Sequence, residues 1–216
     1  MKIKTLVLSP FQTNCYILSC EKTNEGIVID PADEGETIAG TIKELKIRLK
    51  YVLITHAHLD HIMGLLELKN NISDLIAMMD KKEKGVLKNL PYQAAMFGMQ
   101  VSKEIPVIDK FVKEGDIIKF GEETLSVIEL PGHSPGGIGF MGKKMVFVGD
   151  TLFQGSIGRT DLYGGSYEKL IDSIKTKLFT LNDDIIVYPG HGPATTIGNE
   201  KKNNPFFTEE GFFRYI

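Results

Sequence analysis

The histidines of this chain constrain its structure and chemistry more than any other feature. The 216 residues contain only five, and three of them fall in the run His56-Ala57-His58-Leu59-Asp60-His61. At this histidine content, three at these positions by chance has odds on the order of 1 in 100,000. The pair His56 and His58 points to one side of an extended backbone. The run therefore predicts a metal site.

The position of the run in the sequence predicts more than one ligand point. It follows a short apolar strand, Tyr51–Ile54, and thus lies on a loop at a strand end, where catalytic and binding residues are common. A turn between Leu59 and His61 directs Asp60 and His61 towards a second point nearby. Imidazole and carboxylate suit Zn²⁺, and also Fe or Mn. Two-metal hydrolases hold their ions about 3.5–4 Å apart.

Three further residues have the same local setting. His133, Asp150 and His191 each come directly after a predicted strand, and these strands are Thr124–Glu129, Met145–Val148 and Ile185–Tyr188. Gly and Pro beside both histidines predict rigid turns, and the two oxygens of Asp150 could bridge two metals. One such histidine alone would be read as a packed, hydrogen-bonded residue. Five at strand ends favour metal binding.

The order of predicted elements indicates an α/β sandwich with two sheets face to face and helices outside. The other predicted strands are Lys2–Leu8, Asn14–Ser19, Gly26–Asp30, Asp116–Lys119 and Ile138–Met141, with a hairpin turn at Asn24-Glu25-Gly26. The predicted helices are Glu34–Leu49, Ile62–Leu68, Ser166–Leu178 with Ser166 as N-cap, and Thr195–Lys202. For Ser73–Ile105 two interpretations stay open: a helix followed by a mobile flap over the site, or simple core packing by its Met and Phe side chains.

Composition excludes several classes of protein. The apolar fraction is 42%, the charged fraction 25% and the net charge −3, without the basic face of a nucleic-acid-binding protein. No apolar run approaches the length of a membrane span, and no signal-peptide cleavage site is visible, so we expect a cytoplasmic protein. We expect one domain over residues 1–216, in which Cys15 and Cys20 are buried thiols and the Phe-rich end from Phe206 docks.

The motifs together resemble the metallo-β-lactamase fold superfamily. The resemblance is carried by Thr55–His61, Gly132-His133, Gly149-Asp150-Thr151 and Gly190-His191, and extends from near Met1 to about Pro205. Within the superfamily the chain looks like the short bacterial members of the glyoxalase II (hydroxyacylglutathione hydrolase) branch. The features are Asn14-Cys15-Tyr16, Gly149-Asp150-Thr151-Leu152-Phe153, Gly158-Arg159 and Val187-Tyr188-Pro189-Gly190-His191. The resemblance implies a four-layer αββα sandwich.

The resemblance also implies a role for each site residue. His56, His58 and His133 would hold the first divalent metal ion. The second would be held by Asp60, His61 and His191. Asp150 would bridge the two ions. As a hydrogen-bond acceptor, Asp60 could also orient the attacking water. Arg159 would contact the anionic part of the substrate, although a surface pair with Asp161 is an equal alternative.

Two departures from glyoxalase II concern glutathione. The full-length enzymes carry a C-terminal helical domain that adds basic residues to the glutathione site, and we expect this chain to lack it. The family also has a glutathione-contacting Tyr two residues after the last metal histidine, where this chain has Pro193. Both departures leave the hydrolytic site whole, so the true substrate stays open.

The predicted function is hydrolysis of a thioester such as S-lactoylglutathione. Two divalent metals, zinc with iron or manganese as alternatives, would lower the pKa of a bridging water and supply a hydroxide that attacks the carbonyl. All five histidines are assigned to metal, so none is spare as a general acid, and a thiolate leaves near its own pKa of about 8.5 with little help. We expect a small-molecule substrate and no nucleic-acid or membrane partner.

Other functions fit the same residues. An iron-dependent persulfide dioxygenase shares the fold and a stretch like Gly158-Arg159-Thr160-Asp161, and it uses one iron held by two His and one Asp. Other ester, lactone and phosphodiester hydrolases also occur on this fold. A non-enzymatic metal-binding regulatory or scaffold protein is a third class, and a site with an open water position argues against it.

Overall fold

Two six-stranded β-sheets form the centre of the molecule. The structure is a computed structural model, and it describes residues 1–99 and 104–208. The strands of the first sheet, in pairing order, are β1 (Lys2–Leu8), β2 (Thr13–Ser19), β3 (Glu25–Ile29), β4 (Arg48–Leu53), β5 (Ile76–Asp80) and β6 (Lys110–Val112). The first three pair antiparallel, and β3 to β6 pair parallel.

The second sheet is largely antiparallel and follows the first along the chain. Its strands, in chain order, are β7 (Ile117–Phe120), β8 (Glu123–Glu129), β9 (Ile138–Met141), β10 (Met145–Gly149), β13 (Ile186–Pro189) and β14 (Thr195–Thr196). A small separate hairpin of β11 (Leu152–Phe153) and β12 (Ser156–Ile157) lies between β10 and β13 along the chain. The one parallel pair of the second sheet joins β10 to β13.

Helices connect the strands on both sides. They are α1 (Gly35–Glu44), α2 (Leu59–Ile62), α3 (Gly64–Asn71), α4 (Lys84–Lys88), α5 (Leu90–Met96), α6 (Tyr167–Ser173) and α7 (Ile197–Asn203). The hydroxyl of Ser166 accepts a hydrogen bond from the amide of Lys169 at 3.4 Å, which confirms the predicted N-cap of α6. No helix in the described part of the chain is both long and apolar enough to cross a bilayer.

Three apolar clusters separate the elements into four layers. Ile17 and Leu18 are neighbours in β2 and point to opposite faces of the sheet. Ile17 packs with Ile38 of α1 in a cluster between the first sheet and its helices. Leu18 packs with Phe140 of β9 between the two sheets. A third cluster joins the second sheet to Leu170 of α6. The predicted four-layer αββα sandwich is confirmed.

The predicted helix Glu34–Leu49 is too long. The helix α1 ends at Glu44, and Lys46 has a left-handed φ of 55°. Arg48 and Leu49 then pair with Glu25 and Gly26 in the sheet. Strand pairing therefore overrides the helical spacing of the last apolar positions.

The segment Ser73–Ile105 begins with the strand β5, where one of the two interpretations predicted a helix. Met78 and Met79 lie buried in β5, which is covered on both faces and so lacks polar–apolar alternation. Helices α4 and α5 follow, and there Met96 and Phe97 are exposed. Core packing thus describes Met78, Met79 and the partly buried Met99, and fails for Met96 and Phe97. The end of this segment, residues 100–103, lies outside the described residues.

Smaller predictions have mixed outcomes. Cys15 and Cys20 are both buried free thiols, as expected. The predicted hairpin turn, between β2 and β3, lies at residues 20–24, with Asn24 at φ 54°, while Glu25 already belongs to β3. Phe206 docks on the cluster between the second sheet and its helices, whereas the residues beyond 208 lie outside the described range.

Candidate metal centre

The seven predicted ligands meet at one end of the sandwich. They all lie just beyond strand ends: the run from His56 to His61 follows β4 and enters α2, His133 follows β8, Asp150 follows β10 and His191 follows β13. Since β8, β10 and β13 run in the same direction, their carboxyl ends share one edge of the second sheet. An added Cβ at Gly190 would lie 2.1 Å from Asp150 Oδ1, so this close approach requires glycine.

The first group of donors consists of three buried histidines. One nitrogen each of His56, His58 and His133 lies within 4.8 Å of the others. The Nδ1 atom of His58 is 2.9 Å from Nε2 of His133. His133 Nδ1 donates to the carbonyl oxygen of Arg159 at 2.7 Å, which leaves a lone pair on Nε2. The two nitrogens therefore converge on one point.

The second group consists of a carboxylate and two histidines. The donor atoms of Asp60, His61 and His191 lie within 4.8 Å of one another. Asp60 Oδ2 is 3.4 Å from His61 Nε2 and 3.0 Å from His191 Nε2. His191 Nδ1 donates to the carbonyl oxygen of Phe11 at 3.1 Å, so its Nε2 faces the group.

Asp150 lies between the two groups. Its Oδ1 is 3.3 Å from His61 Nε2, and its Oδ2 is 3.6 Å from His133 Nε2 and 3.5 Å from His191 Nε2. One carboxylate thus reaches donors of both groups. This is the geometry that a bridging ligand needs.

Unsatisfied buried atoms indicate that the site is built for cations. In the described residues, four buried side-chain atoms have no hydrogen-bond partner, and three of them are His56 Nε2, His61 Nε2 and Asp150 Oδ1. Leaving a buried polar atom unpaired costs about 1–3 kcal/mol. Three such atoms converging on one place fit a metal cofactor that would satisfy them.

The electrostatics of the first group agree with this. Burial lowers the pKa of His58 to about 3, helped by the neighbouring His133. Burial likewise lowers the pKa of His56 well below its usual value. Neutral imidazole is the form that ligates metal. Burial alone would raise the pKa of Asp150, but His61 and His191 beside it hold that pKa well below its usual value, so this carboxylate is charged.

Comparison with known proteins decides the family. Residues 8–191 match the family described as the metallo-beta-lactamase superfamily. The chain belongs to this superfamily. The resemblance read from the sequence motifs is therefore confirmed.

Three relatives of this superfamily member each cover more than nine-tenths of its length. It is 44% identical over 218 residues to hydroxyacylglutathione hydrolase GloC of Haemophilus influenzae, covering 97% of this chain and 100% of GloC. The crystal structure of BLEG-1 B3 metallo-beta-lactamase matches with a TM-score of 0.88 at 35% identity, covering 96% and 100% of the two chains. The crystal structure of TTHA1623 in a di-iron-bound form matches with a TM-score of 0.85 at 33% identity, covering 94% and 99%.

Asp30 holds residues of the run His56–His61 and the preceding Thr55 in place. Asp30 was not identified as a site residue from the sequence. Its Oδ1 accepts from the amide of Thr55 at 2.7 Å, and its Oδ2 accepts from the Thr55 hydroxyl at 2.6 Å and from His61 Nδ1 at 2.9 Å. The bond to His61 fixes the tautomer that leaves Nε2 free. Because both oxygens already accept, Asp30 is a positioning residue. Its location at the end of a predicted strand was the available signal.

Strand β2 holds the turn that carries His191. Asn14 Nδ2 donates to the carbonyl oxygens of Pro189 at 3.0 Å and Gly192 at 2.9 Å. The Tyr16 hydroxyl donates to the same Pro189 oxygen at 2.5 Å. Asn14 and Tyr16, read only as family features, thus fix one of the seven candidate ligands.

Arg159 forms the surface pair with Asp161 that was one of the two interpretations from the sequence. Its guanidinium donates two hydrogen bonds to the Asp161 carboxylate, each of 2.7 Å, and both side chains are exposed. This bond lowers the pKa of Asp161 to about 2. Arg159 also lines a cavity beside His58. Pro193, where glyoxalase II has its Tyr, is exposed.

Proposed function

We propose that this chain is a dinuclear metal-dependent hydrolase of thioesters, acting on S-lactoylglutathione or a similar acyl thiol. The observation that carries the proposal is the position of Asp150. Its carboxylate lies within 3.6 Å of imidazole nitrogens from both donor groups. One carboxylate between two sets of three donors favours two adjacent cations over one.

The donor set defines which ions would fit. His56, His58 and His133 would hold one cation, and Asp60, His61 and His191 the other, with Asp150 between them. Five imidazoles and two carboxylates suit zinc, iron and manganese, and we propose zinc. Two such cations, when bound, would polarise a carbonyl group and lower the pKa of a water molecule towards neutrality.

Asp60 would orient the nucleophile. Its Oδ2 accepts a hydrogen bond from the Thr13 hydroxyl at 3.1 Å, which holds the carboxylate in the second donor group. A carboxylate accepts through both of its oxygens, so Asp60 can also accept from a water molecule. Thr13 and the buried ring of His61 limit the directions in which that water could lie.

The absence of a spare histidine supports a thioester. The five histidines of the chain all belong to the proposed ligand set. An amide leaving group needs a proton, whereas a thiolate with a pKa of about 8.5 leaves with little help. The likeness to GloC supports the same class, because this relative is named a hydroxyacylglutathione hydrolase and this chain covers 100% of it.

An iron-dependent persulfide dioxygenase is the second candidate. The stretch Gly158-Arg159-Thr160-Asp161 favours it. Such an enzyme uses one iron held by two His and one Asp. The two complete donor groups favour the hydrolase instead.

Metal analysis combined with an assay of S-D-lactoylglutathione hydrolysis tests the proposal. We expect two metal ions per chain and release of free thiol. One iron per chain together with oxygen uptake on a persulfide would support the dioxygenase. A fully metallated protein that hydrolyses no thioester would refute the proposed reaction.

A further inference from the structure

A cavity of about 470 Å³ opens beside the first donor group. We call it the apolar cleft. One wall is formed by α4 and α5, the other by residues 159–163, and the cleft reaches His58. Its volume lies within the roughly 300–1,000 Å³ that is usual for small-molecule sites.

The side chains of the cleft are mostly apolar or aromatic. Large parts of them are exposed: 68% of Tyr92, 60% of Met96, 53% of Phe97 and 64% of Tyr163. A concentration of exposed apolar side chains in a concave site marks a binding surface.

The cleft offers little to a charged ligand. Among its described lining residues outside the proposed ligand set, Arg159 is the only one with a charged side chain. The Arg159 guanidinium is already bound to Asp161 by two hydrogen bonds of 2.7 Å. Glutathione has two carboxylates and an ammonium group, and a charge moved out of water needs a partner. The cleft therefore suits an uncharged group.

The wall of the cleft is tied to both donor groups. Gln93 of α5 accepts a hydrogen bond from the amide of Leu59, inside the ligand run, at 2.9 Å. The ring of Phe97 packs edge-on against Phe11, with centroids 5.0 Å apart. The carbonyl oxygen of Phe11 in turn accepts from His191. A group bound in the cleft would therefore sit in a fixed position relative to the metal ligands.

We propose that the apolar cleft binds an aromatic or branched aliphatic group attached next to the reacting carbonyl. This rests on the proposed thioester hydrolysis and narrows its substrate class to thioesters with an apolar acyl or thiol portion. The cleft meets the metal centre at His58, and from there it could receive either the acyl or the thiol portion of the substrate. The experiment below distinguishes these two orientations.

Two matched substrate pairs test the preference in turnover. S-mandeloylglutathione and S-lactoylglutathione differ only by phenyl against methyl on the acyl side. The lactoyl thioesters of phenylmethanethiol and ethanethiol differ in the same way on the thiol side. We expect kcat/KM to be at least about tenfold higher for the phenyl member of one pair. Equal values within both pairs would overturn the proposal.

Variants test whether the preference for phenyl substrates arises in the apolar cleft. Tyr92→Ser combined with Met96→Ser removes two exposed apolar side chains, so the fold is retained. The phenyl preference should then fall to near unity. Tyr167→Ser is the matched control, because Tyr167 is 51% exposed and lies outside the cleft. A preference that survives in the double variant would contradict the assignment.

A binding measurement separates this proposal from the reaction. S-benzylglutathione and S-methylglutathione are thioethers without a scissile acyl bond, and calorimetry on the metallated protein measures their affinities. We expect the benzyl compound to bind at least about tenfold more tightly, and to lose this advantage in the double variant. Tighter binding of the benzyl compound without any thioester turnover would refute the proposed hydrolysis but support ligand binding in the apolar cleft. Thioester turnover with equal affinities for the two thioethers would support the hydrolysis and refute the role of the cleft.

Discussion

The carboxylate of Glu83 accepts a hydrogen bond from the backbone amide of Ala57 at 2.8 Å. Its other oxygen accepts from the amide of Gly136 at 2.7 Å. Ala57 lies between the ligands His56 and His58, and Gly136 lies on the loop of His133. One fully buried carboxylate thus joins the two loops that supply the first donor group.

We predict that Glu83→Gln weakens both the fold and the metal site. Glutamine keeps one acceptor oxygen, and its NH₂ group would face a backbone N–H, so one buried amide loses its partner. The free energy of unfolding of the metal-free protein should fall by about 1–3 kcal/mol. The affinity for the first zinc ion should fall by about 10–100-fold, as for other outer partners of metal ligands. Denaturant titration and competition with a chelator measure the two effects.

Glu129→Gln is the control for this variant. Glu129 forms a surface ion pair with Lys82 at 2.9 Å, and such pairs contribute little. Its stability and zinc affinity should stay close to those of the wild type. If Glu83→Gln also changed neither quantity, the bonds to Ala57 and Gly136 would have no part in forming the site.

We predict that Asp30→Asn acts mainly on metal binding at the second donor group. Asparagine cannot accept from Thr55 and from His61 Nδ1 with both of its terminal atoms, so the tautomer of His61 is no longer fixed. The affinity for one of two zinc ions should fall by about 10–100-fold. Stepwise zinc titration measures the affinity of each binding step. Asp74→Asn, at an exposed carboxylate, is the control and should leave both binding steps unchanged. Two unaltered steps in Asp30→Asn would contradict its positioning role.

Asp30 and Glu83 also show how much of the site could be predicted from the sequence. The seven candidate ligands stand out locally, because each follows an apolar strand and several are flanked by Gly or Pro. Asp30 has the same local setting and could have been found. Glu83 could not, since it lies among Lys81, Lys82 and Lys84 and reads as part of a solvated face. Its role comes from the approach of Ala57 and Gly136, which are 26 and 53 residues away in the sequence.

The errors in the fold have a related cause. The end of the predicted helix at Leu49 and the missed strand Ile76–Asp80 both depend on pairing with strands that are distant in sequence. Strand propensity depends strongly on such context, whereas the hydrogen bonds of a helix join residues that are close in the sequence. Accordingly, the capped helix from Ser166 was predicted well and the strand β5 was not.

We predict that Asp150→Ala and His56→Ala both abolish hydrolysis but differ in metal content. Asp150 contacts both donor groups, so its removal should weaken both binding steps. His56 belongs to the first group, so His56→Ala should retain the second step more nearly intact. Zinc titration with spectroscopic metal analysis distinguishes the two patterns. Full activity in either variant would refute the ligand assignment.

We predict that Asp161→Asn improves the use of anionic thioesters. The Arg159 guanidinium beside the apolar cleft is held by the Asp161 carboxylate, and the variant releases it without removing the side chain. The KM for S-lactoylglutathione should fall about two- to fivefold, which is the range expected for an exposed charge interaction. Added salt should reduce this gain, because it screens exposed charges. Arg159→Met is the matched variant and should raise the KM instead. The same KM in the wild type and in both variants would mean that Arg159 serves only as the surface partner of Asp161.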